Sequence, residues 1–161
     1  MIIFLYGEDT FRSRQKLKEL KDKFIREVDP TGNGIVSLAG ESLMIEGLSE
    51  AIGARSLFAR KRMIVVENIF SNKSEKILEK VFDYFKKTAK SKDKADDNII
   101  IFWDETSGAK LEKNKLFKFL SEQKYAQNFK KLSNTETAVW IKKEFTAREA
   151  KVKPQAVSNL A

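Results

Sequence analysis

No cysteine and no histidine occur among the 161 residues. The first absence excludes disulfides, thiolate zinc sites and a cysteine nucleophile. The second removes the commonest general base and the commonest metal ligand. An enzyme built on this chain would have to work with carboxylates, lysine, tyrosine or serine. A membrane-spanning run is missing as well. The apolar opening Met1-Ile2-Ile3-Phe4-Leu5-Tyr6 is far too short for a bilayer. It has no basic segment before it and no cleavage site, and it runs straight into Gly7-Glu8-Asp9. That pattern predicts a strand rather than a signal peptide. A cytoplasmic protein without membrane contact is expected.

What the chain does contain is core-forming material. It is 42% hydrophobic and carries 12 phenylalanines, which is not the composition of a disordered chain. Its length suits one domain with the start of a second. Lysine and arginine number 31 against 23 aspartates and glutamates, a formal charge of +8. Such a balance favours contact with something acidic, and it speaks to association rather than to fold.

Along the chain, apolar runs alternate with stretches of helical spacing. Ile2 to Tyr6, Met63 to Val66 and Asn98 to Trp103 are continuous enough for strands buried on both faces. Ile35 to Leu38 is a shorter strand, and Phe129 to Leu132 is expected to be a fifth. Between them, Leu17, Leu20, Phe24 and Ile25 mark one helix, with Asp9 or Thr10 as its cap. Met44, Leu48 and Ile52 mark a second. Ile77, Leu78, Val81, Phe82 and Phe85 form the clearest stripe, within residues 73–90. Leu116, Phe119 and Leu120 point inward from a helix over residues 111–123. Repeated strand–helix order predicts an α/β fold, a parallel sheet flanked by helices. From Asn134 the texture turns helical: Ala138, Ile141 and Phe145 mark one helix, and Pro154 suits the first turn of another. The expected domains are 1–133 and 134–161.

Ligands in such sheets gather at the carboxyl ends of the strands. A phosphate loop after the first strand would need G-x-x-x-x-G-K-[ST]. The chain has Gly7-Glu8-Asp9-Thr10-Phe11-Arg12, with one glycine, no Lys-Ser/Thr pair and two carboxylates that repel phosphate. No dinucleotide fingerprint occurs. No nucleotide or other cofactor and no metal is expected. Glu67 closes the third strand and Asp104-Glu105 the fourth. In a phosphate-loop ATPase such residues hold magnesium and orient water. Without the loop they are better understood as solvated strand ends.

Arg55-Ser56-Leu57-Phe58 stands out. Two large apolar residues sit between a helix and a buried strand, followed by Ala59-Arg60-Lys61-Arg62. Taken by themselves they are most simply a core contact at a helix end. The other reading is an exposed apolar plug on a basic collar, of the kind that fills a partner's pocket.

Several of these segments, in this order, resemble the delta subunit of the bacterial DNA polymerase III clamp loader. They are Ile3 to Asp9 before a basic helix, Ser56-Leu57-Phe58-Ala59 ahead of Met63 to Asn68, Asn98 to Trp103, Trp140 to Glu144 and Val152 to Val157. The resemblance covers nearly the whole chain. It implies an AAA+-like fold that has lost its phosphate loop. It further implies a non-catalytic subunit that binds and opens the beta sliding clamp during DNA replication. Leu57 and Phe58 would enter an apolar pocket on the clamp, with Ser56 and Arg55 beside them. The residue before the serine is often apolar in the family, and here it is Arg55. Family members are longer, continuing through a helical lid to a collar that binds the other loader subunits, so this chain is expected to stop inside the lid.

Two rival readings belong to other classes. A nucleic-acid-binding module would rest on the net charge and on Arg12, Arg14, Lys16 and Lys18 of the first helix. Direct DNA contact is also compatible with a loader. A small hydrolase would use Glu67, Asp104 and Glu105, with Lys110 nearby in sequence, but no motif supports it.

Overall fold

A computed structural model of the chain describes residues 1–53, 61–88, 98–108, 111–150, 153 and 155–157. These form two compact units, Met1–Phe129 and Lys130–Ala161.

In the first unit, five parallel strands build one sheet. They are β1 (Ile2–Tyr6), β2 (Ile35–Ala39), β3 (Met63–Glu67), β4 (Ile99–Asp104) and β5 (Tyr125–Asn128). Their spatial order is β2-β3-β4-β1-β5. The register places Ile3 beside Ile101 and Ile101 beside Val65. The helices are α1 (Thr10–Glu27), α2 (Ile45–Gly53), α3 (Glu75–Thr88) and α4 (Lys115–Ser121).

Side-chain alternation along the strands divides the core in two. Phe4, Ile64, Val66, Ile100 and Phe102 pack against Leu48 and Ile52 of α2, Leu78, Val81 and Phe85 of α3, and Leu116, Phe117 and Leu120 of α4. Burying each such side chain contributes about 1.5–3 kcal/mol. On the opposite face Ile3, Leu5, Met63, Val65, Ile101 and Trp103 meet Leu17 and Phe24 of α1. Ser13 is fully buried on the same side of α1, one turn before Leu17. The position is tolerable because its hydroxyl accepts the Trp103 indole N–H at 3.0 Å and donates to the Thr10 carbonyl. The loop after α1 is tied by Asp29. Its carboxylate accepts from the Thr31 hydroxyl and the Gly34 N–H, both at 2.6 Å, and these bonds hold it below the ordinary carboxylate value.

Three details depart from the sequence expectation. The fifth strand is Tyr125–Asn128, not Phe129–Leu132. Among the described strands it pairs only with β1, at the sheet edge, so no apolar run is required of it. Met44 does not join Leu48 and Ile52 but is 66% exposed. The chain reaches α2 through an extended Leu43, and Leu43 is buried in its place. In α4, Phe117 is buried while Phe119 is only half-buried. The charged stretch 91–97 lies outside the described residues.

The second unit contains α5 (Asn134–Ala147). It opens with a capping box in which Ser133 and Glu136 satisfy each other's backbone N–H groups. Ile141 is buried, and residues 155–157 form a short helical piece. No described helix is long and apolar enough to cross a membrane.

Candidate functional site

The sheet has two ends, and they differ in chemistry. At the carboxyl end, β1 leads to α1 on one face while β4 leads through α4 to β5 on the other. The crevice between β1 and β4 is therefore the switch point at which open α/β sheets take ligands.

Here the crevice is closed from both sides. Asp9 caps α1, accepting from the Arg12 N–H at 2.9 Å and pairing with Arg12 Nε at 2.7 Å. A carboxylate thus already occupies the electropositive helix terminus that would otherwise attract phosphate. Phe129 crosses directly over the loop. Its N–H donates to the Tyr6 carbonyl at 2.6 Å, and its carbonyl accepts from the Asp9 N–H at 2.9 Å. On the far face, aromatic rings fill the space. Tyr6 stacks on Phe4 with centroids 4.5 Å apart, and Phe117 stands edge-on to Phe4, Tyr6 and Phe70 at 5.3–5.7 Å.

Glu67 and Asp104 are engaged rather than solvated, whereas Glu105 is exposed as expected of a strand end. Glu67 pairs with Arg14, whose guanidinium lies 3.5 Å from the centroid of the Trp103 ring. Asp104 is only 3% exposed. One of its oxygens accepts from the Phe70 N–H at 3.0 Å and the other from the Thr106 N–H at 3.1 Å. It therefore fastens the turn after β3 to the end of β4. Burial pushes its carboxyl above the ordinary value of 3.8, against the pull of those two backbone bonds. Among the described residues no group of three acidic side chains is placed to hold a metal ion. Lys110 lies outside the described residues.

The raised carboxyl has a pH signature. An acid whose folded pKa exceeds 3.8 binds its proton more tightly in the folded state. Its stabilising contribution is full below 3.8 and is lost as the pH rises through the folded value. Denaturant titrations of wild type and Asp104→Asn across this window should give a stability difference that moves against wild type as pH rises. A flat difference curve would refute the assignment.

The four basic residues singled out on α1 all have carboxylate partners. Arg12 pairs with Asp9, Arg14 with Glu67, Lys16 with Glu19 at 3.0 Å and Lys18 with Asp22 at 2.6 Å. These cations are laced to their own surface rather than gathered into a positive stripe.

Arg55, Ser56, Leu57 and Phe58 lie outside the described residues, within 54–60. Their flanks are described and sit at the other, amino end of the sheet, where α2 ends at Gly53 and β3 begins at Met63. Asn98 joins these flanks. Its Oδ1 accepts from the Arg62 N–H at 3.0 Å and its Nδ2 donates to the Ile52 carbonyl at 3.1 Å. Arg62 Nη1 donates to the Ala51 carbonyl at 2.9 Å. Sequence reasoning passed over Asn98, Arg62 and Ser13. Ser13 was legible as the polar member of an inward stripe, and Asn98 as the polar head of a buried strand.

Fold and site together define a parallel α/β domain whose switch-point crevice is occupied by its own chain. No family model and no curated protein matches the sequence. Among solved structures, the chain is similar to the Bacillus subtilis DNA clamp loader delta protein, YqeN, with a TM-score of 0.66 and 18% identity. The match covers 99% of this chain and 47% of that one, so the chain spans about half the length of its neighbour. At this identity the likeness establishes the fold.

Proposed function

We propose that this chain is the clamp-binding domain of a delta-type clamp-loader subunit. In this reading residues 1–133 carry the clamp contact and residues 134–161 open the helical lid. The observation that carries the reading is the likeness in fold to a clamp loader delta protein over 99% of the chain. The Ser56-Leu57-Phe58-Ala59 pattern between α2 and β3 agrees with it. Leu57 and Phe58 are the apolar anchor for a pocket on the sliding clamp, with Arg55 and Ser56 at its margin. The domain acts mechanically. It favours an open ring only by as much as it binds the open form better than the closed one. Nucleotide hydrolysis belongs to other loader subunits in this scheme. The filled crevice and the Asp9 cap support that assignment, because phosphate would meet a carboxylate where it needs N–H donors. The pairing of Arg12, Arg14, Lys16 and Lys18 gives the alternative, a basic nucleic-acid module, no added support.

The test is calorimetric titration into the sliding clamp of the same organism, beside Leu57→Ala/Phe58→Ala. Two anchor residues of this kind contribute about 2 kcal/mol each, so the double variant should bind on the order of 1000-fold more weakly while folding normally. Wild-type binding should persist at moderate salt, since an apolar anchor releases no condensed counterions. No heat from wild type at any practical concentration would remove the clamp reading.

A further inference from the structure

One side chain holds both flanks of the segment that carries Leu57 and Phe58. Asn98 is 8% exposed and directly precedes β4. Its amide oxygen takes the main-chain N–H of Arg62, where the chain returns to the sheet, and its amide nitrogen serves the carbonyl of Ile52, where the chain departs. Arg62 reaches back to the neighbouring carbonyl of Ala51. The last carbonyls of a helix have no partner within the helix. Here two of them are taken by groups at the amino edge of the sheet. The sheet itself does not need this side chain. Strands β3 and β4 pair through their own main chains from Met63 and Ile99 onward, and the Ile99 N–H reaches the Arg62 carbonyl at 2.8 Å. The two amide bonds therefore serve the flanks. Only a side chain with a donor and an acceptor on one planar group makes both.

We propose that Asn98, assisted by Arg62, is a positioning residue for the partner contact made by residues 54–60. It fixes the departure and return points of that segment against the rigid amino edge of the sheet. Part of the ordering cost of binding is then met before the partner arrives. The proposal rests on the clamp-binding reading, and it is tested with two readouts so that the two can fail separately.

The variants are Asn98→Ala and Asn98→Asp in the full chain. Leu17→Ala, on the sheet face opposite α2, serves as a control that lowers stability without touching the flanks. The first readout is the rate of tryptic cleavage after Arg55 and Arg60 in the free protein. The second is the dissociation constant for the sliding clamp. Both are measured at a temperature where circular dichroism shows every variant folded. The Asn98 variants should be cleaved about tenfold faster and bind about tenfold more weakly, a loss of the size that one or two newly mobile side chains produce. Leu17→Ala should melt earlier yet match wild type in both. The proposal is overturned if the Asn98 variants match wild type in cleavage and binding, or if Leu17→Ala moves both as far. Should Asn98→Ala not fold, Arg62→Met removes the bond to Ala51 while keeping the main-chain N–H. It should show the same directions, and wild-type behaviour would overturn the proposal. If wild type itself does not bind the clamp, the clamp reading falls, and the cleavage rates alone decide whether Asn98 positions the segment.

Discussion

Replacing Gly7 by alanine should remove a large share of the stability of the sheet domain. Gly7 has φ of +132°, a backbone conformation that side-chain-bearing residues rarely adopt. Holding alanine there costs about 1–3 kcal/mol. The new Cβ would also lie 2.3 Å from the carbonyl oxygen of Phe129 and 2.6 Å from its carbon. Those are main-chain atoms, which cannot swing aside as the tip of a side chain can. To clear the collision Phe129 must withdraw, and its bonds to Tyr6 and Asp9 lengthen or break. Each such bond contributes about 0.5–1.5 kcal/mol. The combined loss is on the order of 4 kcal/mol, against roughly 5–15 kcal/mol for a whole domain. Denaturant unfolding should show the midpoint collapse. A midpoint equal to wild type would mean that Phe129 does not pass over the loop. The glycine after β1 thus serves the close approach of the chain's own backbone.

Trp103→Ala should be comparably severe. The indole is fully buried between α1 and the sheet. Its N–H is bonded to Ser13, and Arg14 covers its ring. Truncating a buried tryptophan costs about 3–5 kcal/mol through lost transfer energy and the cavity left behind. Two further substitutions separate ring from hydrogen bond. Trp103→Phe keeps most of the packing and should cost clearly less. Ser13→Ala keeps the ring but leaves a buried N–H without its acceptor, which costs about 1–3 kcal/mol. Thermal melts of the two single variants and of the Ser13→Ala/Trp103→Phe pair complete a double-mutant cycle. Additive losses would contradict the bond, because partners in contact do not add.

Strands buried on both faces were legible because burial demands an unbroken apolar run. β1, β3 and β4 were found for that reason, each within a residue or so of its observed bounds. The edge strand β5 carries Tyr-Ala-Gln-Asn, pairs with β1 through its main chain and lends only Ala126 to the core. Main-chain pairing leaves no mark on side-chain pattern, so the apolar residue just beyond it, Phe129, drew the assignment instead. Phe117 shows a second limit. In a helix of seven residues, one turn's pattern cannot say which ring turns inward. That was decided by Phe4, Tyr6 and Phe70, which arrive from elsewhere in the chain. Met44 shows a third, since helical spacing extended past the true start of α2 assigned it a face it does not have.

By itself the sequence determined the alternation of strands and helices, the want of cysteine and histidine, the absence of a phosphate-loop motif and the Leu57-Phe58 pair. These are properties of residue type and near-neighbour spacing. Only the tertiary structure decided what fills the crevice at the carboxyl end and what joins Ile52 to Arg62 at the amino end. Asp9 had to be met by Phe129, and Asn98 by Ile52 and Arg62, which lie 46 and 36 residues away. The strand order β2-β3-β4-β1-β5 brings those partners together. No local pattern encodes that order, because it follows from how two apolar faces of one sheet are covered at once.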